Sequence, residues 1–437
     1  MSNLTKTISY LKRNGIRNTW YAVWERTDHI HMDEASKRAL AYKGREALSE
    51  ATKKEQKERI FLREYTFSIL VPTFETDEVF LREMIESVLN QTYSKLQLVI
   101  ADASDSEKVR QVVDEYEDGR ITYLKLAKNG GISANTNAGL AAATGDYIGL
   151  LDHDDLLTPD ALYEMMCQLQ KKEYAFLYSD EDKMDGNGKR FYEPHFKPEF
   201  NLDLLTSNNY ICHFLVMRAE LMKQLKFRPK RDGAQDYDLV LRAVTHLYNA
   251  GMAQVSSDEK GQTAVPVQAK VLQYVSGQIA HLGIVLYHWR CHENSTAANP
   301  ESKRYAYEAG LLALQDFADE MKWAVKAVHS LHLGFYELQY LLPVFTVRKE
   351  IAAIGGRVIK HGKVTGSPKL SGVSLFQGLF TAYSGYMHRA DMYMDVDELD
   401  RRCMKVRPEL TLGLEEAKEA GMILLYDPAF CVKESDA

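Results

Sequence analysis

The stretch Gly149–Leu162, "GLLDHDDLLTPDAL", sets three aspartates against the end of an apolar run. Leu150 and Leu151 read as the end of a strand entering a core. Asp152, Asp154 and Asp155 follow at once, and carboxylates a few ångströms apart repel unless something positive sits among them. Asp152 and Asp154 are two residues apart, so in extended backbone both point the same way. Such a pair is a hard-oxygen site suited to Mg2+ or Mn2+, which fills the rest of its shell with water and substrate phosphate. A helix start explains part of the pattern, because Asp155 or Thr158-Pro159 can open "LLTPDALYEMM". It does not explain three acids.

Upstream, the pattern alternates. "TFSILVP" (66–72), "LQLVIAD" (96–102), "ITYLKL" (121–126) and "DYIGLLD" (146–152) read as buried strands. Between them, "EVFLREMIESVLNQ" shows a helical stripe at Phe80, Leu81, Met84, Ile85, Val88 and Leu89. "EKVRQVVDEYE" and the small-residue run "GISANTNAGLAAAT" are further helices. Four strand–helix alternations with short connections predict an α/β fold with a parallel sheet. Ligands of such sheets bind beyond the carboxyl ends of the strands. Those ends carry Pro72-Thr73, Asp102 and Asp152–Asp155.

These blocks, "FSILVPTFE", "LREMIESVLNQTY", "LQLVIADAS" and "NGGISANTNAGLAAATGDYIGLLDHDD", closely resemble family 2 glycosyltransferases with the GT-A fold over roughly residues 66–300. The resemblance implies transfer of a sugar from a nucleotide-diphosphate donor, with inversion. It implies that Pro72, Thr73, Glu75 and Asp102 hold the nucleoside, with Asn129 of the Asn-Gly loop counted among the donor-binding residues. Asp152 and Asp154, as the DxD motif, would bind the metal and the diphosphate. One departure is clear: many members carry an arginine where this chain has Thr136.

Further along, "RDGAQDYDLVLRAV" (231–244) resembles the family's acidic motif, usually Glu-Asp and here Gln235-Asp236. An inverting transfer needs a base on the face opposite the leaving group, and Asp236 is assigned that role. The alternative is that Asp236 and Asp238 only cap the helix. In "VLYHWRCHENSTAA" (285–298) the resemblance implies a histidine that completes the metal shell. His292 matches it more closely than His288, and Arg290 would neutralise the leaving diphosphate. "LYSDEDKMD" (177–185) reads as a solvated acidic loop. Tyr192, His195, Phe196, Phe200 and Tyr210 would either stack on an acceptor glycan or cover the core.

The domain organisation expected is a helical extension at 1–64, the GT-A domain at 65–300 and a smaller C-terminal α/β domain at 301–437 resembling a truncated second module. Leu11, Ile16, Trp20, Val23 and Trp24 recur at helical spacing near the start. They read either as a collar packed on the main domain or, with Lys12, Arg13 and Arg17, as a face for lipid headgroups. Residues 250–280 lack strong periodicity and read as an insertion or lid. In the last third no second "VPTF…DxD" occurs, so that part is expected to pack on the first, bind acceptor or form a homodimer. Tyr383, Tyr386 and Tyr393 suit sugar stacking or an interface equally.

Composition sets outer bounds. The 437 residues exceed one compact core, and 45% hydrophobic with 26% charged residues is ordinary for a globular protein. A net charge of −7 argues against a nucleic-acid partner. Five cysteines without a CxxC pair fit reduced thiols and no zinc. With no apolar run long enough to span a bilayer, the chain is expected to be cytoplasmic, with peripheral contact at the inner membrane surface. The expected acceptor is a glycan or lipid-linked glycan of a bacterial surface polysaccharide, rhamnose-containing types among them. The rival readings are a non-catalytic scaffold of a glycan assembly complex and a sugar nucleotidyltransferase. The latter wants a Gly-rich basic loop after the first strand, which "VPTFETDEVF" lacks.

Overall fold

The computed structural model describes residues 3–28, 30–258, 265–291 and 304–434. Nine strands form the main sheet: β1 Phe67–Thr73, β2 Leu96–Asp102, β3 Ile121–Lys125, β4 Tyr147–Leu150, β5 Leu156–Leu157, β6 Phe176–Asp185, β7 Phe191–His195, β8 Leu215–Arg218 and β9 Ile279–Cys291. Their order is β3-β2-β1-β4-β8-β6-β9-β5, with β7 paired to β6. The first four strands are parallel, as the alternation predicts. β8 then enters antiparallel beside β4, which brings His213 and Phe214 next to the aspartate-bearing end of β4.

The strands form where the sequence is continuously apolar. β1 and β2 are buried almost throughout, as expected of parallel strands covered on both faces. Helix Glu78–Leu89 begins where the Asp77 carboxylate accepts the Val79 N–H, and it buries Leu81, Met84, Ile85 and Val88. Ile132–Ala142 packs on the opposite face, where Gly139 matters: a Cβ there would lie 2.4 Å from Leu70 Cδ1. The two faces hold separate cores. One, around Ile69, Ile85, Ile100 and Leu162, stays within the sheet region. The other runs from Leu70 and Leu140 through Tyr237 and Leu314 to Ile351 and Tyr426.

Two expectations change. "LYSDEDKMD" is not a solvated loop but most of the central strand β6, with Asp180, Glu181 and Asp182 buried. Each acid meets partners from distant segments: His281 for Asp180 (2.8 Å), Lys197 and His195 for Glu181 (both 3.3 Å), His288 (2.5 Å) and Tyr42 (2.7 Å) for Asp182. Paired charges tolerate burial that lone ones do not. The described residues of 250–280 are mainly helical as well, divided between Gln235–Asp258 and Val267–Gly277, and 259–264 lie outside the described residues. Small residues such as Ala269 and Gly251 let those two helices pack closely, and that weakens the apolar stripe in the sequence.

The N-terminal segment forms helices Asn3–Glu25, Glu34–Ala41 and Glu50–Glu58. The first is broken at Gly15, whose φ of 76° lies outside the helical region. The C-terminal part places helix Arg304–Glu320 against Gln235–Asp258 and builds a five-stranded sheet around Ile351–Lys360 and Ile423–Lys433. It is tied to the rest by the buried Arg348–Asp203 pair (2.8 Å) and by the tyrosines. Tyr383 donates to Asp28 (2.8 Å), and Tyr386 donates to the Pro194 carbonyl (2.6 Å). These two tyrosines bind protein and are not presented to a glycan. The five cysteines are unpaired.

Candidate active site

The carboxyl edge of β1, β2 and β4 carries the residues singled out in the sequence. Thr73 and Asp102 are register partners at the ends of β1 and β2. Asp102 is buried; it accepts from the Ser104 N–H (2.9 Å), Tyr123 Oη (2.7 Å) and Lys125 Nζ (3.1 Å). Burial alone would raise its carboxyl, but these donors hold it below the ordinary value. Glu75, at φ 46°, accepts from the Asp105 and Ser106 N–H groups (2.9 and 3.0 Å), so it fixes the loop after β2. Asn129 Oδ1 accepts from the Gly131 N–H and from Asn135 Nδ2, shaping the turn before helix Ile132–Ala142. Thr136 is buried, its hydroxyl donating to the Ile132 carbonyl (2.7 Å).

The aspartate cluster divides by environment. Asp155 is buried and accepts from Tyr287 Oη (2.5 Å) and the Arg290 N–H (2.7 Å). Burial, and then the charges of Asp154 and Asp152, push its carboxyl well above the ordinary value. Asp152 is raised too, first by loss of surrounding solvent, with Asp154 and Asp236 adding to the rise and His213 opposing it. Its side chain is exposed to solvent, so the rise matters less there than at Asp155. Asp154 lies 3.9 Å from His153 Nδ1 and is partly exposed.

Asp152, Asp155 and His213 bring one ligand atom each within 4.8 Å of one another, and among the described residues they are the group of three suited to a cation. Two carboxylates and an imidazole fit Mn2+, and Mg2+ less closely because of the nitrogen donor. His213 lies on the loop leading into β8, its ring stacked on Tyr287 at 4.4 Å and 8°. Asp155 and His213 thus stand as further candidate ligands beside the Asp152, Asp154 and His292 expected from the sequence. His292 lies outside the described residues. His288 is committed elsewhere, at 2.5 Å from Asp182.

Arg290 is fully buried. Its Nε donates to the Asp154 carbonyl (2.6 Å), Nη1 to the Gly186 carbonyl (3.1 Å) and Nη2 to Glu83 (2.6 Å), while the guanidinium covers the Phe80 ring at 4.5 Å. Its bonds to the 154–155 backbone and side chain hold the aspartate loop in place.

Asp236 begins helix Gln235–Asp258 and accepts from Asn209 Nδ2 (2.8 Å) and Cys212 Sγ (3.3 Å). Asp238 serves a different purpose: it is buried between Arg228 and Arg242. Of the aromatics in 190–218, Tyr210 is core, His195 binds Glu181, and Phe196 packs between Tyr42 and Tyr386 with Arg38 over its face. Phe200 packs partly buried against the core, and Tyr192 lies beside Arg190.

Residues 68–226 match the family described as Glycosyl transferase family 2. This stretch is a family 2 glycosyl transferase domain. It spans β1 to β8 and contains Asp102, the aspartate cluster and His213. The chain is 36% identical over 254 residues to protein y4gI of Sinorhizobium fredii, covering 57% of this chain and 25% of that protein. It is 33% identical over 254 residues to the O-antigen biosynthesis protein RfbC of Myxococcus xanthus, covering 57% and 18%. A crystal structure of S. aureus TarS 1-349 in complex with UDP-GlcNAc aligns over 59% of this chain and 66% of that one, at 19% identity and a TM-score of 0.41. The chain thus spans a quarter or less of the first two relatives. The transferase domain is of mixed α/β, GT-A type. Among the described residues, no helix is long and apolar enough to cross a membrane.

His213 had no signal in the sequence; a lone histidine ahead of an apolar strand is ordinary. Asn209 and Cys212 were equally silent. All three become visible once β8 is known to lie beside β4.

Proposed function

We propose that the chain is an inverting, metal-dependent glycosyltransferase that moves a sugar from a nucleotide-diphosphate donor to the acceptor end of a growing bacterial surface polysaccharide. The observation that carries this reading is a pair of carboxylate centres whose charges act on each other: Asp152, with Asp155 and His213 close by, and Asp236 held by Asn209. Support for the polysaccharide class comes from the family match and from the Myxococcus relative named for O-antigen biosynthesis.

Asp152, Asp155 and His213 would hold a divalent ion, which would neutralise charge on the leaving diphosphate. The remaining work belongs to the chain. Asp236 takes the proton of the acceptor hydroxyl as its oxygen bonds to the anomeric carbon and the bond to the diphosphate oxygen breaks. Asn209 and Cys212 donate to Oδ2 of Asp236 and leave Oδ1 to face the hydroxyl. Asp102, fixed by Tyr123 and Lys125, stays ionised as an acceptor for a nucleoside hydroxyl.

The test is release of nucleoside diphosphate from a panel of nucleotide sugars with Mn2+, Mg2+ or EDTA, comparing the wild type with Asp236→Asn. Metal-dependent release from one donor, reduced about 10²- to 10⁴-fold in the variant, supports the reading. No turnover of any donor, even with lipid-linked glycan extract added, rejects it in favour of a scaffold.

A further inference from the structure

The first helix carries a surface that the transferase chemistry does not use. Its second segment, after the break at Gly15, presents Ile16 (80% exposed), Trp20 (54%), Val23 and Trp24 (50%) to solvent. Spacings of four, seven and eight residues put these four side chains on one helical stripe. Trp20 and Trp24 stack on each other, with ring centroids 4.6 Å apart. Leu11 and Ile8 add exposed apolar area on the first segment.

The opposite side is what fixes the helix to the protein. Thr19 is buried, Tyr21 packs on Phe380 at 6.0 Å, and Glu25 accepts the N–H groups of Ser384 (3.1 Å) and Gly385 (2.7 Å). The exposed stripe is thus held outward on a docked helix.

Charge selects the occupant. Asn3–Glu25 contains Lys6, Lys12, Arg13 and Arg17 but a single acid, Glu25, which is turned into the protein. Lys12, Arg13 and Arg17 are exposed; Arg17 is three residues from Trp20, with its guanidinium over the Tyr21 ring at 5.8 Å. The chain as a whole carries −7. A cationic, tryptophan-bearing helical segment on an anionic protein is complementary to a surface that is negatively charged outside and apolar beneath. We propose that this helix docks the protein on an anionic lipid bilayer, with Trp20 and Trp24 at headgroup depth and Lys12, Arg13 and Arg17 over the phosphates.

The experiment is flotation of the full chain with vesicles of phosphatidylcholine mixed with phosphatidylglycerol, and with phosphatidylcholine alone, at low and high salt. The wild type should float with the mixed vesicles, and floating should fall with salt and without phosphatidylglycerol. Each cation removed (Lys12→Glu, Arg17→Glu) should lower partitioning about fivefold. Trp20→Ser with Trp24→Ser should abolish it while melting temperature and donor turnover stay unchanged, because neither ring is part of the core. Equal floating of wild type and variants overturns the proposal, as does failure of the wild type to float. A lipid-free dimer that becomes monomeric in the tryptophan variant also overturns it, and assigns the face to a second copy.

Discussion

Asn209 Nδ2 donates to Oδ2 of Asp236 at 2.8 Å across 27 residues of sequence, and so sets the rotation of the carboxylate that begins helix Gln235–Asp258. The same oxygen accepts from Cys212 Sγ at 3.3 Å. Among the described residues, both donors reach the same carboxylate oxygen.

Removing this restraint should cost rate more than binding. Asn209→Ala is expected to lower kcat roughly 10- to 100-fold, the worth of a hydrogen bond to a charged group, with the donor KM nearly unchanged. Steady-state kinetics of nucleoside diphosphate release check this. A KM rise at constant kcat would remove Asn209 from the positioning of the base.

His213 should show itself in metal affinity. His213→Ala is expected to raise the Mn2+ concentration for half-maximal turnover about 10- to 100-fold, the scale seen when a metal site loses a supporting group. The variant should shift Mn2+ more than Mg2+, because the lost donor is nitrogen. Metal titration of activity, paired with Mn2+ binding followed by paramagnetic resonance, separates affinity from chemistry.

Arg290 should matter to stability before chemistry. Its buried guanidinium joins Glu83, the Gly186 carbonyl and the Asp154 carbonyl. Arg290→Ala leaves those groups without their donor and is expected to destabilise the fold by about 2–4 kcal/mol. Denaturant unfolding measures that loss directly. A variant as stable as wild type but inactive would return Arg290 to direct contact with the diphosphate.

Acid stability should carry the signature of Glu181. Burial opposes ionisation, but Lys197 and then His195 outweigh it and hold the carboxyl down to about 2, against an ordinary 4.5. A group whose folded value is depressed stabilises the fold above its unfolded value and loses that contribution as pH falls through the folded one. The contribution should therefore be complete above pH 4.5 and disappear toward pH 2. Glu181→Gln should be less stable at neutral pH, because Lys197 is left buried without its counter-charge, and its melting temperature should fall less steeply below pH 4.5. An acid limb as steep as that of the wild type would contradict the pairing.

What the sequence could reveal divides along local and distant lines. The four parallel strands, the helices between them and the aspartates at the end of β4 were legible because each depends on a pattern within about fifteen neighbours. β6 was misread for the opposite reason. Asp180, Glu181 and Asp182 look solvated until Lys197, His195, His281, His288 and Tyr42 arrive from elsewhere in the chain. His213 was likewise hidden, since its nearness to Asp152 follows from the antiparallel entry of β8 beside β4.

Asp232 lies four residues before Asp236, yet its Oδ1 accepts the Ser133 N–H at 3.2 Å. Gly131, at φ +90°, makes room for it: a Cβ there would lie 2.4 Å from Asp232 Oδ2. The turn shaped by Asn129 and the first turn of the helix bearing Asp236 therefore share a mechanical joint. On the proposed function this joint would link the donor half of the site to the acceptor half, so that binding at either would change affinity at the other by the same factor. Any side chain at Gly131 would push Asp232 aside and disturb both ends of the joint at once.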